Sequence, residues 1–336
     1  MLAKEELVSA LNGESDSQPP AVFTQSATVQ AMERCGCPWP EAHTDPEMMA
    51  VLARQLFEMT GIPTARIPFS IATEAMALGC EVDMGGMSAY PSVRGNPWTV
   101  DGTMPDVPDT MIPVDSFLSG EGVSAVVSAL EILSSDESLF TVVGVSGPFD
   151  LMVNMFGLDS AVMCMLLEPD RFRSWASRIV PYLEAYLRAV DGIADSVLVI
   201  ESATTDILSP DDYDSFVADN LSRVLHVPRS SMPMLHCCGS TLEMAERLAA
   251  CGEKVLVPQA SGHLYEYVSR IAGRVVLAGA VDPVGTMLSG TPADVVRASR
   301  LSADAGFDVV APECGLSPMT PTANIDALAH YREHPI

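Results

Sequence analysis

The sequence predicts an α/β fold: a closed (β/α)8 TIM barrel with an N-terminal helical extension, forming one domain over residues 1–336. Three observations predict it. Eight short β-branched or apolar runs recur along the chain. Segments of helical period separate most of them, and such alternation implies parallel strand pairing. Eight strand–helix units are the number that closes a barrel. The 336 residues, 48% of them hydrophobic, supply ample core, and barrels of this class use such a length as one domain.

Taken in order, residues 1–20 open with MLAKEELVSALNGES, an amphipathic helical extension with no secretory apolar core. The strands follow at 21–25 (AVFTQ), 64–69 (TARIPF), 140–145 (FTVVGV), 196–201 (SVLVIE), 232–237 (MPMLHC), 254–259 (KVLVPQ), 275–280 (VVLAGA) and 308–313 (DVVAPE). A helix is expected from Pro169 to Val190, opened by Pro-Asp. Another begins at Thr291, where a Thr cap precedes Pro and an acid. Segment 85–120 breaks the rhythm. It is rich in Gly, Pro and Asp, and long loops of this kind tend to carry function. Because it follows the second strand, it is expected over the barrel mouth; an ordered surface excursion is the alternative.

Charge narrows the partners. The chain has 44 Asp+Glu against 18 Lys+Arg, a formal net of -26, with lysine only at positions 4 and 254. Such a surface repels nucleic acid and anionic membranes. No apolar run is long enough for a membrane span, so a cytoplasmic protein with reduced thiols is expected. The eight cysteines are then buried thiols or ligands rather than a disulfide frame.

One strand end carries a chemical signature: His236, Cys237 and Cys238 in a row, followed by Gly239. Alternate residues of a strand share a face. His236 and Cys238 therefore point one way and Cys237 the other, toward the helices. A third donor, Cys314, directly follows the last predicted strand. In a closed barrel, strands far apart in sequence converge at the C-terminal mouth, where sites are built. One His and two Cys make a three-ligand zinc site with an open fourth position, the catalytic pattern. On pattern alone, a greasy strand end with buried thiols stands beside this reading. Cys35, Cys37, Cys80, Cys164 and Cys251 are read as ordinary thiols.

With these residues in view, the chain resembles the methylcobamide:coenzyme M methyltransferases within the uroporphyrinogen decarboxylase superfamily. The resemblance spans nearly the whole length. It rests on WPEAH at 39–43, RIPF at 66–69, LGCEV at 78–82, YPSV at 90–93, GPF at 147–149, HCCG at 236–239, VDP at 281–283 and APECGLSPMTP at 311–321. It implies zinc on His236, Cys238 and Cys314. It also implies methyl transfer from a methylated corrinoid, held on a corrinoid protein, to the thiol of coenzyme M. The metal-free decarboxylase branch uses an Arg-rich N-terminal segment, and residues 1–33 contain no Arg.

Some mouth residues depart from the relatives. Where they often carry an acidic resting ligand, this chain has Gln259, with His263 as a possible substitute fourth ligand. The strand ends after the fourth and seventh strands also differ. The coenzyme M sulfonate calls for Arg or backbone N–H groups; Arg66 and the amides at Gly239 and Ser240 are the candidates. Another small thiol or a pterin as acceptor, and a non-catalytic paralogue that binds the corrinoid protein, are the competing readings.

Overall fold

The computed structural model describes residues 2–99 and 102–333. Nine strands occur among them: β1 (Thr64–Ile67), β2 (Glu81–Asp83), β3 (Ser92–Gly95), β4 (Phe140–Ser146), β5 (Ser196–Glu201), β6 (Met232–Cys237), β7 (Val255–Pro258), β8 (Val276–Val281) and β9 (Val309–Pro312). Seven form one parallel sheet in the order β1-β4-β5-β6-β7-β8-β9. Helices surround this curled, barrel-like sheet, and each connection passes through them before the next strand. β5 and β6 run over the predicted residues, and the long Pro169–Val190 helix matches its predicted span.

The expected first strand, 21–25, is not a ladder. It forms a single parallel bridge, Pro20 to Val310, with Ala21 N donating to Val310 O (3.0 Å) and Val310 N to Pro19 O (3.1 Å). On its other side Val22 N donates to Thr64 Oγ1 at 3.1 Å. The segment thus lies between β9 and β1. Pro19 and Pro20 lack N–H groups, so a regular ladder cannot start there.

Period-2 alternation sorts the side chains into two cores. Phe140, Val142, Leu198, Met234, Val255, Val257, Val309 and Ala311 fill the inside of the sheet. Ile67, Val143, Val145, Val197, Val199, Leu235, Cys237 and Leu256 pack outward against helices. Each such aliphatic side chain contributes about 1.5–3 kcal/mol on burial. The Ala3–Leu11 helix buries Leu7, Ala10 and Leu11 against the inner cluster. Lys4 pairs there with Asp195, just before β5, at 3.0 Å. The helix therefore stoppers the N-terminal end.

Within the predicted loop 85–120, Val100 and Asp101 lie outside the described residues. β2 and β3 form an antiparallel hairpin that overlaps its start, and a short helix, Val114–Leu118, lies near its end. Between them the chain runs along the Pro169–Val190 helix: Trp175 Nε1 donates to Pro105 O (2.7 Å) and Tyr182 Oη to Ile112 O (2.5 Å). The hairpin turn is what reaches the mouth. Tyr90 Oη donates to Leu316 O at 2.5 Å, beyond β9. Among the described residues no single helix is long and apolar enough to cross a membrane.

Candidate metal centre

Three donors meet at the C-terminal ends of β6 and β9. One ligand atom from each of His236, Cys238 and Cys314 lies within 4.8 Å of the others. His236 is the inward residue of β6, paired with Ile200 on β5 and Val257 on β7. Its Nδ1 donates to the Val257 carbonyl oxygen at 2.8 Å. That bond fixes the ring and leaves Nε2 free to coordinate a metal, as a hydrogen bond behind a metal-binding His commonly does. Cys237 faces outward, fully buried among helices, and burial raises its thiol well above the usual range.

The two remaining sulfurs face each other, Cys238 Sγ to Cys314 Sγ at 3.2 Å. The hydrogen bond from Cys238 lowers the Cys314 pKa, and the same bond raises that of Cys238. Two sulfurs bound to one tetrahedral zinc stand about 3.7 Å apart, from Zn–S bonds of about 2.3 Å. A small opening of the pair reaches that spacing, so one nitrogen and two sulfurs fit a zinc ion in both softness and geometry.

Gln259 stands at the edge of this cluster. Its Oε1 accepts from Gly239 N (2.7 Å) and faces Cys238 Sγ at 3.6 Å. Because Gly239 N–H needs an oxygen, the amide orientation is fixed, with oxygen toward the sulfur. His263 is not brought to the cluster. Its Nδ1 lies 3.1 Å from Glu266 Oε2 at the start of the Leu264–Ile271 helix. The Gly239 and Ser240 amides are both engaged, the first by Gln259 and the second by Asp206 Oδ2 at 2.6 Å. They are not free to cradle a sulfonate.

Arg66 lies inside the sheet, 2% exposed, its guanidinium against Gly144 of β4. A Cβ at Gly144 would sit 2.3 Å from Arg66 Nη2, so only glycine leaves room. Nη1 donates to Pro68 O, whereas Nε has no partner. Among the described residues no carboxylate lies within 4 Å of it; burial lowers its pKa to about 10, while Glu74, Tyr90 and Tyr186 act to raise it. Burial raises the Tyr90 pKa, and Arg66 lowers and Cys314 raises it through their charges.

Several mouth residues escape a reading from sequence. Glu313, next to Cys314, accepts Ala260 N (2.8 Å), Ser261 N (2.6 Å) and Ser261 Oγ (2.8 Å), clamping the β7 and β9 ends together. Glu201 turns outward and accepts Phe149 N (3.2 Å) and Asp150 N (2.9 Å) at the start of the Pro148–Phe156 helix. A Cβ at Gly147 would meet Glu201 Oε2 at 2.4 Å. Asp150, also buried, accepts from Ser202 Oγ and from Asn154 Nδ2 (3.1 Å). The sequence hint was the GPF motif, which carries Gly147 and directly precedes Asp150.

Known proteins share this architecture. The chain matches the uroporphyrinogen decarboxylase (URO-D) family over residues 2–334. It is 31% identical to methylcobamide:CoM methyltransferase MtaA of Methanosarcina barkeri, covering 98% of this chain and 97% of that protein. It is 28% identical to methylcobamide:CoM methyltransferase MtbA of Methanosarcina acetivorans, covering 97% and 96%. The solved structure of a methyltransferase from Methanosarcina mazei superposes with a TM-score of 0.88 at 28% identity, over 99% of this chain and 98% of that one. This chain belongs to the uroporphyrinogen decarboxylase family, and it is a methyltransferase enzyme within it.

Proposed function

We propose that this enzyme moves a methyl group from methylcobamide, presented by a corrinoid protein, to the thiol of coenzyme M in the cytoplasm, with one zinc held by His236, Cys238 and Cys314. One observation carries the reading: a nitrogen and two sulfurs gathered within 4.8 Å at the strand ends. The full-length relatives named for this methyl transfer support it. When bound, zinc supplies a Lewis acid that ionises a coordinating thiol at neutral pH. Cys238 and Cys314 bring two negative charges, so an acceptor sulfur beside them keeps its electron density. The acceptor thiolate attacks the methyl carbon; the S–C bond forms, the Co–C bond breaks, and its electron pair stays on cobalt. The cobamide carries the hard chemistry and the barrel supplies orientation.

Arg66 is the cation for the sulfonate. Its guanidinium is buried and Nε is unpartnered. The amides of Gly239 and Ser240, already engaged, leave that task to it. Methyl transfer from free methylcobalamin to a panel of thiols, with and without zinc, tests the function. Coenzyme M is expected to react fastest, and only in the zinc-loaded enzyme. If no thiol reacts while zinc is bound, the reading yields to a pterin acceptor or to a binding-only role.

Gln259 sets how firmly the fourth position is held. Its neutral oxygen, tied to Gly239 N, competes weakly with an incoming thiol. Gln259→Glu is expected to retain zinc longer against a chelator and to raise the KM for thiol. Unchanged values for both quantities would mean that this side chain does not face the metal.

A further inference from the structure

The acceptor thiol must lose a proton before its sulfur can attack, because a free thiol is mostly protonated near neutral pH. That proton needs an acceptor at the site. The register across the strand ends points to one group. Ile200 pairs with His236, and Glu201 with Cys237. Ser202 and Cys238 are the residues that directly follow β5 and β6, so the register continued by one step sets them side by side. Ser202 shares the parity of Ile200, so its hydroxyl belongs to the inner face, level with the sulfurs. It is only half-buried.

The Ser202 hydroxyl does not stand alone. It donates to Asp150 Oδ1, and Asn154 Nδ2 donates to the other carboxylate oxygen at 3.1 Å. Asp150 is 3% exposed, on the Pro148–Phe156 helix. Its backbone N–H is held by Glu201 Oε1 at 2.9 Å, which fixes the helix start and hence the carboxylate. No ion pair neutralises Asp150 among the described residues. Asp150 is thus a buried, acceptor-only carboxylate near enough to His236 to feel its charge.

We propose that Ser202 and Asp150 form the proton relay of the methyl transfer: Ser202 Oγ takes the acceptor thiol's proton while its own proton passes to Asp150 Oδ1. The S–H bond breaks, an O–H bond forms on Ser202, and the original hydroxyl proton ends on the Asp150 carboxylate. No oxidant or further reactant is needed. The inference rests on the thiol-acceptor reading above and adds the base that reading lacks.

The charges around Asp150 suit the task. Burial raises its pKa to about 6, partly offset by Ser202, His236 and Asn154. Glu201 at the end of β5, raised to about 8, and Glu74 on the Thr73–Ala77 helix, raised to about 7, also face it. These buried acids hold a proton more readily than surface ones, and an acceptor tuned toward the working pH serves proton transfer best.

The test uses the metal-loaded enzyme and its Co(II)-substituted form. In wild type, thiol binding (read by the sulfur-to-cobalt absorption band) and kcat/KM for thiol should rise with pH along a limb near 6. In Asp150→Asn, which keeps an oxygen for Ser202 to bond, the limb should move toward the free thiol's own ionisation near about 8.5. Each pH unit of that move is about tenfold at acid pH, so a loss above ~100-fold near pH 6 is expected, closing above pH 9. Ser202→Ala should move the limb in the same way, and neither variant should lose metal. A purely structural Asp150 would lower activity evenly at all pH values. An unmoved limb in variants that still bind thiol overturns the relay alone. A wild-type enzyme whose metal never binds thiol overturns the thiol reading and the relay together.

Discussion

Cys238→Ser and Cys314→Ser are each expected to abolish zinc retention and methyl transfer, whereas Cys237→Ala should keep both. This is the largest expected effect, and it follows from strand parity. Cys238 and Cys314 bring their sulfurs to 3.2 Å, with His236 completing the set. Cys237, one residue earlier, is sealed on the opposite face. Removing even an outer-shell partner of a metal ligand costs about 10–100-fold in affinity. Loss of a ligand itself is therefore expected to exceed ~100-fold. Metal analysis after dialysis against a chelator, paired with turnover on methylcobalamin, reads both quantities. Equal zinc loss from Cys237→Ala and Cys238→Ala would break the parity argument.

The second large effect is expected at Arg66. A hydrogen bond to a charged group contributes about 1.5–3 kcal/mol, or ~10–100-fold in kcat/KM for coenzyme M. Arg66→Ala should lose that factor for coenzyme M and leave 2-mercaptoethanol, which has no sulfonate, nearly unchanged. The second thiol also reports whether the variant has folded. Wild-type enzyme that uses both thiols equally well would mean that the buried guanidinium binds no sulfonate. Gly144 belongs to the same device, since any side chain there displaces the guanidinium.

The sequence made the sheet legible where one rule sufficed. Seven strands appear at their apolar runs because those residues are buried on both faces. The approach of His236, Cys238 and Cys314 was legible for a related reason: period 2 picks the face and barrel closure picks the end. The first strand misled because its apolar pattern said nothing of the two prolines beside it. The β2–β3 hairpin was missed because its strands are short and none of their residues is buried, with no apolar period to find. The engagement of the Gly239 and Ser240 amides was out of reach, since it depends on where Gln259 and Asp206 point. So was the meeting of Asp150 with Ser202, 52 positions apart, one on the helix that follows β4 and the other just past β5. His263 sat close to Gln259 in sequence, but Glu266 one turn onward is the nearer partner.

The stopper at the bottom of the barrel has a kinetic meaning. Leu7, Ala10 and Leu11 are fully buried against the inner side chains, so among the described residues this end of the sheet is closed. In the proposed reaction, thiol and corrinoid carrier would then share the doorway at the opposite end, and a docked carrier would cover it. Sequential entry is therefore expected: the small thiol first, the carrier second. Departure would run in reverse, with the methylated thiol waiting behind the demethylated carrier. An excess of free carrier should then slow turnover by trapping thiol outside, and added thiol should relieve that slowing competitively.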